Sequence, residues 1–87
     1  MYQIYFSPLS KKDAKKLSAS GLDGKARKLL NIIKNDPFAY PPQFEFLKGK
    51  LKGLISRKIN KQHRLIYRVV EEKKIVKIIR MWTHYGE

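Results

Sequence analysis

Between Pro37 and Val70 the chain carries one carboxylate, Glu45, in company with Lys48, Lys50, Lys52, Arg57, Lys58, Lys61, Arg64 and Arg68. A lone acid in such surroundings can simply balance local charge. It can also act as a general base, because neighbouring cations favour the ionised carboxylate, which would then accept the proton of a ribose 2′-hydroxyl while Arg or Lys neutralises the attacked phosphate. The freed 2′-oxygen attacks the adjacent phosphorus without a metal, a cofactor or a protein nucleophile. The lack of cysteine in the chain is therefore no obstacle.

Two further needs of that reaction have candidates. Arg64 and Arg68 lie four apart, so on a strand both share a face with Ile66, opposite Leu65, Tyr67 and Val69. A guanidinium offers paired donors to phosphate oxygens and keeps its charge, which suits it to a phosphorane-like transition state; the competing use is an ion pair with Glu45. The departing 5′-oxygen needs a proton, for which histidine is apt. His63 precedes the strand that carries Arg64, and His84 follows the last strand beside Trp82 and Tyr85. Either imidazole also fits a structural role, and Trp82 and Tyr85 can stack on an unpaired base or simply pack in the core.

Positioning these groups takes a sheet. Tyr2, Ile4 and Phe6 alternate with Gln3 and Tyr5, which predicts a strand over 2–6. Ser7-Pro8 starts a helix, with Ser7 as cap and Ser10 as its rival, and Leu9, Asp13, Ala14 and Leu17 form a thin inward stripe. Leu22, Ala26, Leu29, Leu30 and Ile33 predict a second helix, closed by Asn35-Asp36-Pro37. From Phe44 onward short alternating runs take over: strands are expected at Leu54–Ile59, Arg64–Val70 and Ile75–Trp82, with Glu71 to Lys74 as a reversal. The sum is an α+β fold in which an N-terminal strand and two helices pack on one face of a twisted, mainly antiparallel sheet, leaving the other face for function.

Composition agrees with a single folded domain over residues 1–87: 43% of residues are apolar and the aromatics are spread along the chain. With 20 Lys and Arg against 7 Asp and Glu, the net charge of +13 favours polyanions without choosing among them. No apolar run approaches the ~20 residues that span a bilayer, and the start of the chain has no signal-peptide pattern, so no membrane partner and a cytoplasmic location are expected.

The segments Phe46-Leu47-Lys48, Leu51-Lys52-Gly53, Ser56-Arg57-Lys58-Ile59, His63-Arg64-Leu65-Ile66-Tyr67 and Thr83-His84-Tyr85 carry a family likeness. Taken together, the chain resembles the YoeB/Txe toxins of bacterial type II toxin–antitoxin modules, within the RelE-like superfamily, closely from Glu45 to Tyr85 and in element pattern before that. The resemblance implies an endoribonuclease that enters the ribosomal A site and cuts messenger RNA there, giving a 2′,3′-cyclic phosphate and a 5′-hydroxyl. It implies a cognate acidic antitoxin and leaves both a monomer and a homodimer open. Its implied roles are Glu45 as general base, Arg64 as transition-state clamp, His84 as general acid and Tyr85 as the residue that positions the nucleotide. Lys48, Lys50, Lys52, Arg57, Lys58, His63, Arg68 and Trp82 are expected to contact RNA. Lys58 stands where relatives often have a second arginine, and Leu54-Ile55 where they often have Phe-Trp.

A non-catalytic basic module that docks RNA or DNA is the alternative. It would have no use for Glu45, whose charge would weaken phosphate binding.

Overall fold

The computed structural model describes residues 1–82, and positions 83–87 lie outside the described residues. Four strands, β2 (Phe44–Phe46), β3 (Ile55–Lys58), β4 (Arg64–Val70) and β5 (Ile75–Arg80), form an antiparallel meander. The N-terminal strand β1 (Gln3–Phe6) adds to β5 in parallel, giving the order β1-β5-β4-β3-β2. The helices α1 (Pro8–Ala19) and α2 (Asp23–Asn35) follow β1 in the chain and belong to its crossover toward the meander. This is the α+β arrangement the sequence predicts. The third expected strand stops short, at Arg80 instead of Trp82, and β2 is a separate short strand that the alternation alone did not delimit.

Local chemistry sets the helix ends. Ser7 caps α1, its Oγ accepting the Ser10 amide at 3.0 Å, and Pro8 fills the first turn, where no amide hydrogen is required. At the far end the Leu22 amide returns to the Leu17 carbonyl at 2.8 Å around Gly21, whose φ of 75° favours glycine. Asp36 is extended before Pro37, as a residue before proline should be, and α2 ends there.

The inward stripe of α1 differs from the predicted one. Asp13 and Leu17 are buried as expected and Ala14 is half-buried, but Leu9 is 52% exposed and Ser10 takes its place in the interior. Ser10, Asp13 and Leu17 keep helical spacing, and the polar pair tolerates burial because each is bonded: Ser10 Oγ donates to the Ser7 carbonyl, and Asp13 accepts from Arg80. On α2 the buried face is Ala26, Leu29 and Ile33. It packs with Leu17, Ile55, Leu65, Tyr67, Val76 and Ile78, each fully buried aliphatic side chain contributing about 1.5–3 kcal/mol.

Arg57 corrects a second expectation. Instead of meeting RNA it is 1% exposed, on the helix side of β3 with Ile55. Its Nε donates to the Tyr67 hydroxyl at 2.9 Å, Nη1 to the Pro42 carbonyl at 2.7 Å, and Nη2 to the carbonyls of Pro37 and Ala39 at 3.1 and 2.8 Å. The Tyr67 hydroxyl donates in turn to Pro37 at 2.7 Å. Burial pushes the Tyr67 phenol above its usual 10.0, partly opposed by the hydrogen bond and charge of Arg57. One buried guanidinium thus gathers the carbonyls of the 37–42 loop and fixes the approach to β2.

Candidate active site

The face of the sheet turned away from the helices holds Glu45, Ser56, Lys58 and Arg64. Register explains their meeting: Glu45 pairs with Ser56 across β2 and β3, and Lys58 pairs with Arg64 across β3 and β4. The long Arg64 side chain crosses β3 diagonally, and its Nη1 donates to Glu45 Oε1 at 2.9 Å and to Ser56 Oγ at 3.3 Å. Beside this contact opens a cavity of about 270 Å³, lined by Pro42, Gln43, Phe44, Glu45, Ser56, Lys58 and Arg64. That is near the lower size of clefts that hold small ligands, and is of the scale of a nucleotide fragment. The Glu45 side chain is 60% exposed and that of Arg64 21%, so the ion pair is worth at most about 1 kcal/mol and yields readily to an incoming phosphate.

The other predicted residues divide. Lys48 and Lys52 flank the turn Gly49–Leu51 between β2 and β3, and with Lys50 they are exposed but do not line the cavity. Arg68 is exposed on β4, directly opposite Lys77 of β5. His63 is only 7% exposed, so it is not an open RNA contact. Its ring stacks on Trp82, with centroids 4.0 Å apart and planes 22° from parallel, and Nδ1 donates to the Trp82 carbonyl. Trp82 is itself partly buried against the core. His84 and Tyr85 lie outside the described residues.

Sequence reasoning missed Ser56 and the pairing of Asp13 with Arg80. Ser56 is 1% exposed, and its role as an acceptor for Arg64 follows from a strand register that no spacing rule reveals. Asp13 receives Arg80 Nε at 2.8 Å, Arg80 Nη2 at 3.2 Å and the Met81 amide at 3.0 Å. Its placement in an otherwise apolar stripe was the available signal.

A five-stranded mixed sheet with two helices on one face and this basic, acid-bearing cleft on the other define a RelE-like toxin architecture. Residues 10–85 match the family described as the YoeB-like toxin of bacterial type II toxin–antitoxin systems. The toxin YoeB of Mycobacterium bovis is 36% identical over 58 residues, spanning 67% of this chain and 66%, just under two thirds, of that protein. A YoeB/ParE toxin from Agrobacterium tumefaciens superposes with a TM-score of 0.86 at 28% identity, covering 95% of this chain and 99% of that one. The toxin of a YoeB-YefM complex from Staphylococcus aureus reaches 0.81 at 32% identity, with 98% and 99% coverage. The chain belongs to the YoeB-like toxin family.

Proposed function

We propose that this toxin is an endoribonuclease that cuts messenger RNA in the ribosomal A site. The observation that carries the reading is the contact of Glu45 with Arg64 at 2.9 Å on an open basic face, at the edge of a cavity. A phosphodiester drawn into the cavity takes over the guanidinium and releases the carboxylate for work as a base. Glu45 accepts the proton of the 2′-hydroxyl, and the 2′-oxygen forms a bond to phosphorus as the bond from phosphorus to the 5′-oxygen breaks. His84 delivers a proton to that leaving oxygen, and Arg64 neutralises the charge gathered on the phosphorane. The products are a 2′,3′-cyclic phosphate and a 5′-hydroxyl, reached without a metal ion. Tyr85 positions the nucleotide, and Lys48, Lys50, Lys52, Lys58 and Arg68 hold phosphates of messenger or ribosomal RNA.

Partners follow from charge and kinship. A net charge of +13 favours an acidic antitoxin that covers the cleft, in keeping with the YoeB-YefM complex of S. aureus, and the dimer recorded for the S. aureus toxin makes self-association a second expected state. Ribosomes place the site of action in the cytoplasm. Induced expression with mapping of messenger 5′ ends tests the activity: growth arrest with cuts at one codon position is expected, and both should disappear in Glu45→Gln and Arg64→Ala. Undiminished cleavage by either variant would overturn the assignment.

A further inference from the structure

We infer that Ser56 is a positioning residue whose hydroxyl holds the Arg64 guanidinium in place while Glu45 is at work as the base. The inference rests on the proposed ribonuclease reading and adds to it a residue that acts through the clamp and not on the reacting atoms. Register puts Ser56 between the two groups it serves: on β3 it pairs with Glu45 of β2 on one side and with Ile66 of β4 on the other, two residues along from the Lys58–Arg64 pair. A diagonal position on the adjacent strand is within reach of a long side chain, so Arg64 passes over position 56 on its way to Glu45. The residue there must be small enough to let the guanidinium cross and polar enough to accept from it. Serine meets both conditions.

The two acceptors of Arg64 Nη1 differ in their setting. Glu45 Oε1, at 2.9 Å, belongs to a side chain that is 60% exposed on the short edge strand β2. Ser56 Oγ, at 3.3 Å, belongs to a residue that is 1% exposed on the interior strand β3. A terminal guanidinium nitrogen carries a pair of hydrogens, enough for both. When a phosphate draws the guanidinium and the carboxylate turns to a 2′-hydroxyl, the contact through Glu45 ends. The contact through Ser56 survives, because the serine hydroxyl takes no part in the proton transfer and a guanidinium has N–H bonds enough to serve a hydroxyl and a phosphate together. Arg64 thus keeps a fixed point in the interior of the sheet during the step that needs its charge. Ser56 also lines the cavity with Glu45, Lys58 and Arg64, so its hold acts where the phosphate would sit.

The experiment compares antitoxin-free Ser56→Ala and Ser56→Cys with the natural chain. Ribosomes programmed with a defined messenger give the saturating cleavage rate and the half-saturating ribosome concentration, and side-chain nitrogen NMR without RNA gives the rotation rate of the Arg64 guanidinium. Alanine deletes the acceptor, whereas cysteine keeps the volume and offers only a weak one. In both variants the saturating rate should fall about 10-fold while half-saturation moves less than about threefold, and the guanidinium should rotate faster. A full rate in Ser56→Ala, or a loss that falls on half-saturation instead, would overturn the inference. A full rate in Ser56→Cys beside an impaired Ser56→Ala would make volume the cause and overturn it equally, as would unaltered rotation of Arg64. If Ser56→Ala does not fold, the same criteria are applied to Ser56→Cys. Full cleavage by Glu45→Gln and Arg64→Ala would remove the ribonuclease reading, whereas dead Glu45→Gln and Arg64→Ala beside a fully active Ser56→Ala would remove the role of Ser56 alone.

Discussion

Asp13 of α1 and Arg80 at the end of β5 form a partly buried pair in which the carboxylate receives both Nε and Nη2 of the guanidinium, at 2.8 and 3.2 Å, and the Met81 amide besides. Asp13 is 2% exposed. Burial raises its pKa, but the hydrogen bonds from Arg80 and Met81 and the charges of Arg80 and Lys16 outweigh that effect and hold the carboxyl below its usual 3.8. The pair joins the first helix to the end of the last strand.

The sign of its pH dependence follows. A folded pKa lower than the unfolded one adds stability that is present above the unfolded value and lost as pH falls from 3.8 through the folded value. Asp13→Asn should therefore be about 3 kcal/mol less stable at neutral pH, since the change removes the carboxylate charge that faces Arg80 and one of the oxygens that accept from Arg80 and the Met81 amide. The gap should shrink in acid. Urea unfolding at pH 7 and at pH values below 3.8 measures it, and a gap of constant size would refute the pairing as its source.

Arg57 should matter for stability and not for RNA. Arg57→Met removes the donors for Pro42 and Ala39 and should cost about 3 kcal/mol, at about 1–3 kcal/mol for each buried acceptor left unpaired. The salt dependence of RNA binding should not move. Lys48→Gln offers the contrast: unchanged stability, and a slope of log affinity against log salt smaller by about 0.7. A slope change in Arg57→Met, at a temperature where it is folded, would return that residue to the RNA surface.

Tyr67→Phe deletes the hydroxyl that accepts from Arg57 and donates to Pro37. A loss of about 1–3 kcal/mol is expected in thermal unfolding. Ultraviolet titration gives an independent check, because part of the phenolate signal displaced above 10.0 should vanish with the substitution. An identical titration curve would place the hydroxyl in ordinary solvent.

Charge also predicts how the antitoxin arrives. With a toxin of +13 and an acidic partner, raising ionic strength should slow association more than it hastens dissociation. Stopped-flow mixing at several salt concentrations separates the two rates. An association rate indifferent to salt would contradict steering.

Much of this was legible from residue patterns. The helical spacing of Ala26, Leu29 and Ile33 and the run Arg64–Val70 mark elements found as expected. Glu45 and Arg64 were recognisable as partners because acids are so scarce near them, although their contact depends on a hairpin register invisible to spacing. β2 was hard to delimit because three residues are too few to display alternation. Arg57 and His63 were misplaced for a shared reason: a polar side chain defaults to water unless distant backbone acceptors are waiting, and here those are supplied by Pro37, Ala39 and Pro42 for one and by Trp82 for the other. Leu9 and Ser10 exchanged roles because Ser10, its hydroxyl bonded to the Ser7 carbonyl, can be buried without leaving a polar group unsatisfied.

The insertion of β5 between β1 and β4 has a consequence for biosynthesis. While the nascent polypeptide is still shorter than residue 75, β1 has no neighbour and β4 shows a bare edge. The sheet can be completed only when Ile75–Arg80 has cleared the exit tunnel. Until then β1 and β4 both lack the neighbour they share, so the pairing of β5 with the two is the step that closes the sheet.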